Sequence, residues 1–368
     1  MTFGHLQLVM NEASDPHRPR AQIVGTGLIG GSIGLALRAQ GWHVTGRDRD
    51  PTAANRAREL GALDAVGNDP NAELTFIATP VGAVASEVER ALETTTGLVT
   101  DVGSVKAPMV PLMSNPRFVG GHPMAGSELE GVEGARADLF DGHAWVLTPV
   151  EGTHNEAFAR IRTVVSSFGA EVVSIPPDRH DEMVAVVSHV PHLTAATLMR
   201  LADESAVEHL ALLRLAAGGF RDMTRVAAGH PGIWPDICGE NREAIVTQLS
   251  RLIEALSEIR EIVAADDRHT LVKLLEAARA ARLNLPTRFA RPDELAEVRI
   301  PVRDRPGELA RITTLATDLG VSIADIEIAH SAEGEEGVVI LLVEQALAER
   351  FQGGLMANGY RPTLRTLE

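Results

Sequence analysis

Gly25-Thr26-Gly27-Leu28-Ile29-Gly30 constrains this chain more than any other stretch. It is a G-x-G-x-x-G pattern. It directly follows Ala21–Gly25, which reads as a strand, and it opens an apolar helix expected over Ser32–Ala39. In that setting the first glycine permits a tight turn. The second lets a pyrophosphate approach the backbone, and the third lets helix and strand pack closely. Gly25, Gly27, Leu28, Ile29 and Gly30 are therefore the expected cofactor loop. Asp48 ends the next expected strand. An acid there accepts from an adenine-ribose 2′-hydroxyl and repels a 2′-phosphate, which favours NAD over NADP. Arg47 and Arg49 flank it and oppose that preference. Thr79, just after the expected strand Leu74–Ala78, completes the expected cofactor contacts.

The pattern predicts an α/β fold beginning with a Rossmann-type, parallel, doubly wound sheet. Strands are expected at Trp42–Arg47, Leu98–Asp101, Phe118–His122, Ala144–Thr148 and Glu171–Ile175, with a helix over Ala157–Phe168. The strand signal then stops. Ile245, Leu249, Leu252, Leu256, Ile259 and Val263 recur at helical spacing, and His192–Leu201 and Val207–Ala217 are helical by composition. A last block reads strand, helix, strand, strand, helix, strand, the ferredoxin-like βαββαβ plan, with a shift of phase between Ile323 and Ile326. The stretches IPPDRHD and LPTRFARPDEL read as linkers. The expected organisation is thus a tail over residues 1–19, a dinucleotide-binding domain over 20–178, an all-helical substrate-binding and dimerisation domain over 179–290, and a small domain over 296–368.

Composition narrows the partners. A net charge of −16 disfavours nucleic acid and anionic membranes. No apolar run approaches the roughly 20 residues of a membrane span. The first 20 residues lack a secretory pattern, and a single cysteine, Cys238, suits a cytoplasmic location. Only two lysines occur, Lys106 and Lys273, so arginine must carry most contacts with anions.

The chemistry gathers in four stretches. Asp101-Val-Gly-Ser104-Val-Lys106 follows a strand, at the edge where such sheets bind ligands, although Ser104 equally reads as a helix cap. Gly120-Gly121-His122-Pro123-Met124-Ala125-Gly126-Ser127-Glu128 packs poorly but presents an imidazole well. A neutral histidine there can accept a proton from a hydroxyl as a neighbouring hydride leaves. Ser188-His189-Val190-Pro191-His192 holds two histidines without a supporting ligand set, so no metal is expected. Arg221 and Arg225, four apart, suit a carboxylate.

Taken together, GTGLIGGS, TDVGSVK, GGHPMAGSE, SHVPH, GGFRDMTR and Trp234 resemble the prephenate/arogenate dehydrogenases of tyrosine biosynthesis over about residues 20 to 290. Residues 296–368, with DRPGEL, resemble an ACT domain, a regulatory module that often binds amino acids. The resemblance implies oxidative decarboxylation of prephenate with NAD to 4-hydroxyphenylpyruvate. It implies that His122 draws the proton from the 4-hydroxyl and that Ser104 orients His122 and contacts the hydroxyl or nicotinamide. Arg225 would bind a substrate carboxylate, His192 and Ser188 would line the pocket, and Ser127 and Glu128 would lie near the side chain. Trp234 would stand close by. It also implies a homodimer, with tyrosine as effector near Asp304–Leu309.

Three alternatives stay open at this level. Arogenate differs from prephenate only in an amino group, which Glu128 would attract. An amino-acid sensor with an inactive dehydrogenase domain is a non-enzymatic reading, opposed by the retained His122, Ser104 and Arg225. The β-hydroxyacid dehydrogenases share the dinucleotide fold and following helices but carry a catalytic lysine in the second domain. Residues 179–272 contain none.

Overall fold

In the computed structural model of the chain, Arg20–Val24 forms strand β1, buried over Ala21–Val24. Residues 18–112, 114–127, 129, 131–208, 215–284, 295–303, 305–330 and 336–366 are described. Two compact units result, Met1–Ala255 and Leu256–Glu368.

The first unit continues with α1 (Leu28–Ala39), β2 (His43–Arg47), α2 (Pro51–Glu59), β3 (Ala65–Val66), β4 (Leu74–Ile77), α3 (Val81–Thr94), β5 (Leu98–Asp101) and β6 (Phe118–Pro123). Then come β7 (Ala144–Thr148), α4 (Asn155–Ser166) and β8 (Glu171–Ser174). The sheet order is β3-β2-β1-β4-β5-β6-β7-β8. The six strands β1 to β6 run parallel, as expected of a Rossmann-type core, but β7 pairs antiparallel to β6. The fully parallel expectation is therefore corrected. Among the described residues no α-helix crosses over between β6 and β7, and the chain returns in the opposite sense. Helix α4 then restores a parallel step to β8. Trp145, Phe76, Phe140 and Phe168 pack together in the core with ring centroids 5.0–6.4 Å apart.

Helices follow: α5 (Pro177–Val184), a wide turn Ala185–His189, α6 (Val190–Glu208), α7 (Gly218–Thr224), α8 (Trp234–Glu240) and α9 (Arg242–Ala264), in which the unit boundary falls. The IPPDRHD stretch, expected as a turn-rich linker, runs into a helix. Pro177 opens a helix at the position where a missing N–H costs nothing, and Asp178 suits its first turn. Of the expected helix Val207–Ala217, residues 209–214 lie outside the described residues, and Ala216 and Ala217 are not helical.

The second unit holds α10 (Arg268–Leu283), β9 (Leu295–Arg303), α11 (Glu308–Asp318), β10 (Ile323–His330), β11 (Glu336–Glu344), α12 (Gln345–Ala357) and β12 (Thr363–Thr366). Its four strands form a small antiparallel sheet in the order β10-β11-β9-β12. The phase shift read in β10 is a register irregularity between Ile323 and Asp325. Val298, Ile300, Ile312, Leu341, Val343 and Phe351 form its core. Among the described residues no helix is long and apolar enough to cross a membrane.

Candidate active site

The glycine loop divides its labour. Gly25 has φ +93°, and a Cβ there would lie 2.3 Å from the Ala78 carbonyl oxygen. A Cβ on Gly30 would lie 1.9 Å from the Gly25 carbonyl oxygen. These two glycines are demanded by the fold itself. Gly27 is different, because nothing lies within 4 Å of a Cβ placed there. It caps α1 without a side-chain hydrogen bond, so the helix N-terminus presents backbone amides at an open face. Leu28 and Ile29 form the first turn and pack against the core. Thr79 Oγ1, past the end of β4, is buried without a hydrogen-bond partner. These features fit a dinucleotide whose pyrophosphate rests on the loop.

Asp48 also braces the loop. Its carboxylate accepts from the Thr26 amide at 2.7 Å and from the Thr26 hydroxyl at 3.3 Å. Arg47 is ion-paired with Glu87, whereas Arg49 is exposed.

Beside this loop, β5 and β6 end on the same edge of the sheet, the edge at which parallel α/β folds bind ligands. Lys106 is fully buried and pairs with the equally buried Asp101. Its ammonium also donates to the Gly121 carbonyl at 2.7 Å. The Asp101 carboxylate accepts from the amides of Gly103 at 2.9 Å and Gly121 at 3.1 Å. This clamp joins the two strand ends immediately before His122. Ser104 lies half-buried within the same turn.

His122 is 9% exposed. Its Nδ1 lies 2.8 Å from Nε2 of His180. Nδ1 of His180 lies 2.7 Å from Oδ1 of Asp181. The Asp181 carboxylate also accepts from the amides of Lys106 at 2.8 Å and Ala107 at 2.7 Å. Burial above all, with the nearby Lys106 ammonium, holds His122 well below the ordinary imidazole range. It is therefore neutral at pH 7 and equipped to accept a proton.

Asn241 binds this group to a second one. Its Nδ2 donates to the Asp181 carbonyl at 2.8 Å and lies 3.2 Å from Nδ1 of His189. Burial lowers His189 to about 4, partly opposed by Asp181. Its ring meets Trp234 edge-on, with centroids 6.1 Å apart, while His192 stacks on the same indole. Burial also lowers the His192 imidazole. Ser188 is half-buried, one turn before His192. Arg225 opens the turn Arg225–Ala228, which packs on α6, the helix carrying His192. Arg221 donates from Nε to the Ala216 carbonyl at 3.1 Å.

The fold thus gathers His122 and Ser104 at the strand ends, and His192, Ser188 and Trp234 among the helices. His189 adjoins both groups. Ser127 lies on the exposed loop after β6, where its hydroxyl accepts from the Leu129 amide at 3.1 Å. Glu128 lies outside the described residues. His180, Asp181 and Asn241 were not foreseen as site residues. Among the described residues no group of three or more His, Cys, Asp or Glu side chains is placed to hold a metal ion.

Known proteins resemble this chain in both sequence and fold. A family model described as the prephenate dehydrogenase nucleotide-binding domain matches residues 33–174, and one described as the prephenate dehydrogenase dimerization domain matches residues 176–277. Prephenate dehydrogenase of Bacillus subtilis is 33% identical over 334 residues, covering 86% of this chain and 90% of the relative. The crystal structure of Aquifex aeolicus prephenate dehydrogenase with hydroxyphenyl propionate and NAD+ superposes with a TM-score of 0.68 at 29% identity, covering 73% of this chain and 98% of that one. Synechocystis arogenate dehydrogenase superposes with a TM-score of 0.62 at 31% identity, covering 72% of this chain and 98% of that one. The chain belongs to the prephenate dehydrogenase family.

Proposed function

We propose that the chain is an NAD-dependent prephenate dehydrogenase that converts prephenate to 4-hydroxyphenylpyruvate and carbon dioxide. The observation that carries this reading is a buried His122, its imidazole lowered by burial, on the sheet edge that also carries the open Gly27 loop. Bound NAD supplies the hydride acceptor. The backbone amides at the start of α1 hold its pyrophosphate, Asp48 takes the adenine ribose, and Thr79 contacts the cofactor. His122 withdraws the proton of the 4-hydroxyl as the ring carbon is oxidised, and Ser104 keeps that hydroxyl in place. Arg225 binds a carboxylate of the substrate. His192, Ser188 and Trp234 wall the pocket, and Ser127 and Glu128 lie toward the pyruvyl side chain. Departure of the ring carboxylate leaves an aromatic ring, so the step runs one way.

The same reading assigns the domains as residues 20–178, 179–290 and 296–368, a homodimer through the helical domain, and a cytoplasmic location. The C-terminal βαββαβ order supports an ACT-like, ferredoxin-like module. Its expected tyrosine site is near Asp304–Leu309, of which Asp304 lies outside the described residues. Deleting residues 296–368 should abolish tyrosine inhibition. If inhibition persists, tyrosine acts at the active site instead.

NADH absorbance with purified chain tests the function. Prephenate with NAD should give the highest kcat/KM among prephenate and arogenate, each with NAD and NADP. Preference for arogenate would move the chain to the arogenate branch, toward which the Synechocystis relative points. Lack of turnover with both substrates would leave a sensor.

A further inference from the structure

The carboxylate of Asp181 has three N–H groups converging on it: the amides of Lys106 and Ala107, and Nδ1 of His180. An ionised carboxylate only accepts hydrogen bonds, so Nδ1 of His180 is its protonated nitrogen. A ring whose one proton sits on Nδ1 leaves Nε2 a bare acceptor. That nitrogen faces Nδ1 of His122 at 2.8 Å. Across that contact Nδ1 of His122 is then the donor, and Nε2 of His122 keeps its lone pair.

We infer that His180 and Asp181 are positioning residues that lock His122 in the tautomer whose Nε2 accepts the substrate proton. This rests on the proposed role of His122 as base and adds what makes it one. As the O–H bond of the substrate breaks, an Nε2–H bond forms and His122 becomes an imidazolium. Its Nδ1–H still points at His180, whose far side is held by the Asp181 carboxylate. The negative charge stabilises the imidazolium through one intervening ring, as a carboxylate behind a histidine does in hydrolase triads. His180 and Asp181 are 1% and 5% exposed, so this charge acts with little solvent screening. The amides of Lys106 and Ala107 pin the carboxylate, and Asn241 holds the backbone carbonyl of the same residue. The charged or titratable groups around His122 are His180 and Asp181 on α5, Lys106 with Asp101 at the end of β5, and His189 before α6.

Two experiments test the lock. The first uses the unmodified full chain labelled with ¹⁵N-histidine, without cofactor, at pH 7. The His122 resonances are identified by their loss in His122→Asn. Nδ1 should be protonated and Nε2 bare, and the reverse tautomer overturns the inference. This readout is independent of turnover, so it survives failure of the functional reading, which the prephenate assay of the unmodified chain decides separately.

The second uses Asp181→Asn and His180→Gln. Both should lower kcat by roughly 10²-fold or more while KM changes little. Asp181→Asn should also move the acidic limb of the kcat/KM profile to lower pH, because the imidazolium has lost its counter-charge. Adding Asp181→Asn to His122→Asn should cost almost nothing further. An unmoved limb, or losses that add in full, would reduce His180 and Asp181 to packing residues. If either variant fails to fold, the tautomer measurement decides alone.

Discussion

His192 lies flat on Trp234, with ring centroids 3.7 Å apart and planes 17° apart. The same indole receives the edge of His189. One side chain from α8 thus sets two histidines from the turn and helix before it. Stacked aromatic pairs contribute about 0.5–1.5 kcal/mol beyond area burial. Trp234→Ala should therefore raise KM for prephenate roughly two- to tenfold, and Trp234→Phe should stay within about twofold. Steady-state kinetics at saturating NAD check this.

His122→Asn should keep NAD affinity and lose turnover by roughly 10²–10⁴-fold, the usual contribution of a placed acid–base group. Calorimetric titration with NAD and an NADH absorbance assay separate the two effects. Near-normal turnover would remove His122 from the chemistry.

Gly27 and Gly30 should respond oppositely to alanine. Gly30→Ala would put a methyl group 1.9 Å from a backbone oxygen, so the loop must distort and the melting temperature should fall. At Gly27, φ is −72° and the added methyl meets no protein atom. Gly27→Ala should melt normally yet bind NAD more weakly. Equal melting losses in both variants would contradict this division.

Lys106→Met removes one partner of a fully buried ion pair and leaves Asp101 charged. Such losses cost roughly 3–5 kcal/mol. Urea unfolding should show a drop of this size. Combining it with Asp101→Asn should recover part of the loss, since the stranded charge is gone.

Acid should weaken the first unit through His189. Its imidazole is lowered to about 4 in the fold, against roughly 6.5 unfolded. Between these values the unfolded chain binds the extra proton, so stability falls as pH drops from about 6.5 toward about 4. His122, held low by burial, acts in the same direction. Unfolding midpoints across this window should fall less steeply in His189→Asn than in the unmodified chain.

What was readable from sequence divides by range. Gly25 and Gly30 could be read because their constraint is local, a turn and a close approach within one strand and one helix. The sequence marks Asp48 as a cofactor contact, whereas its bonds to Thr26 arise only when β1 and β2 pair in the fold. His180 and Asp181 escaped notice because a proline-rich, charged stretch looks like a surface turn. Their meaning lies in His122, 58 residues earlier, and in amides of another segment. The reversed β7 escaped for a similar reason, since alternation of apolar runs does not record strand direction.

The burial of Lys106 also bears on handling the protein. The chain has two lysines, and Lys106 is wholly enclosed while Lys273 on α10 is exposed. Amine-reactive dyes, biotin esters and surface-coupling reagents will therefore find one lysine side chain on the folded chain, within the C-terminal unit and away in sequence from the glycine loop and His122. Apart from the α-amino group, Lys273 is then the amine a fluorophore or tether reaches on the folded chain. Modification of Lys106 by the same reagents would then report opening of the strand ends around Asp101.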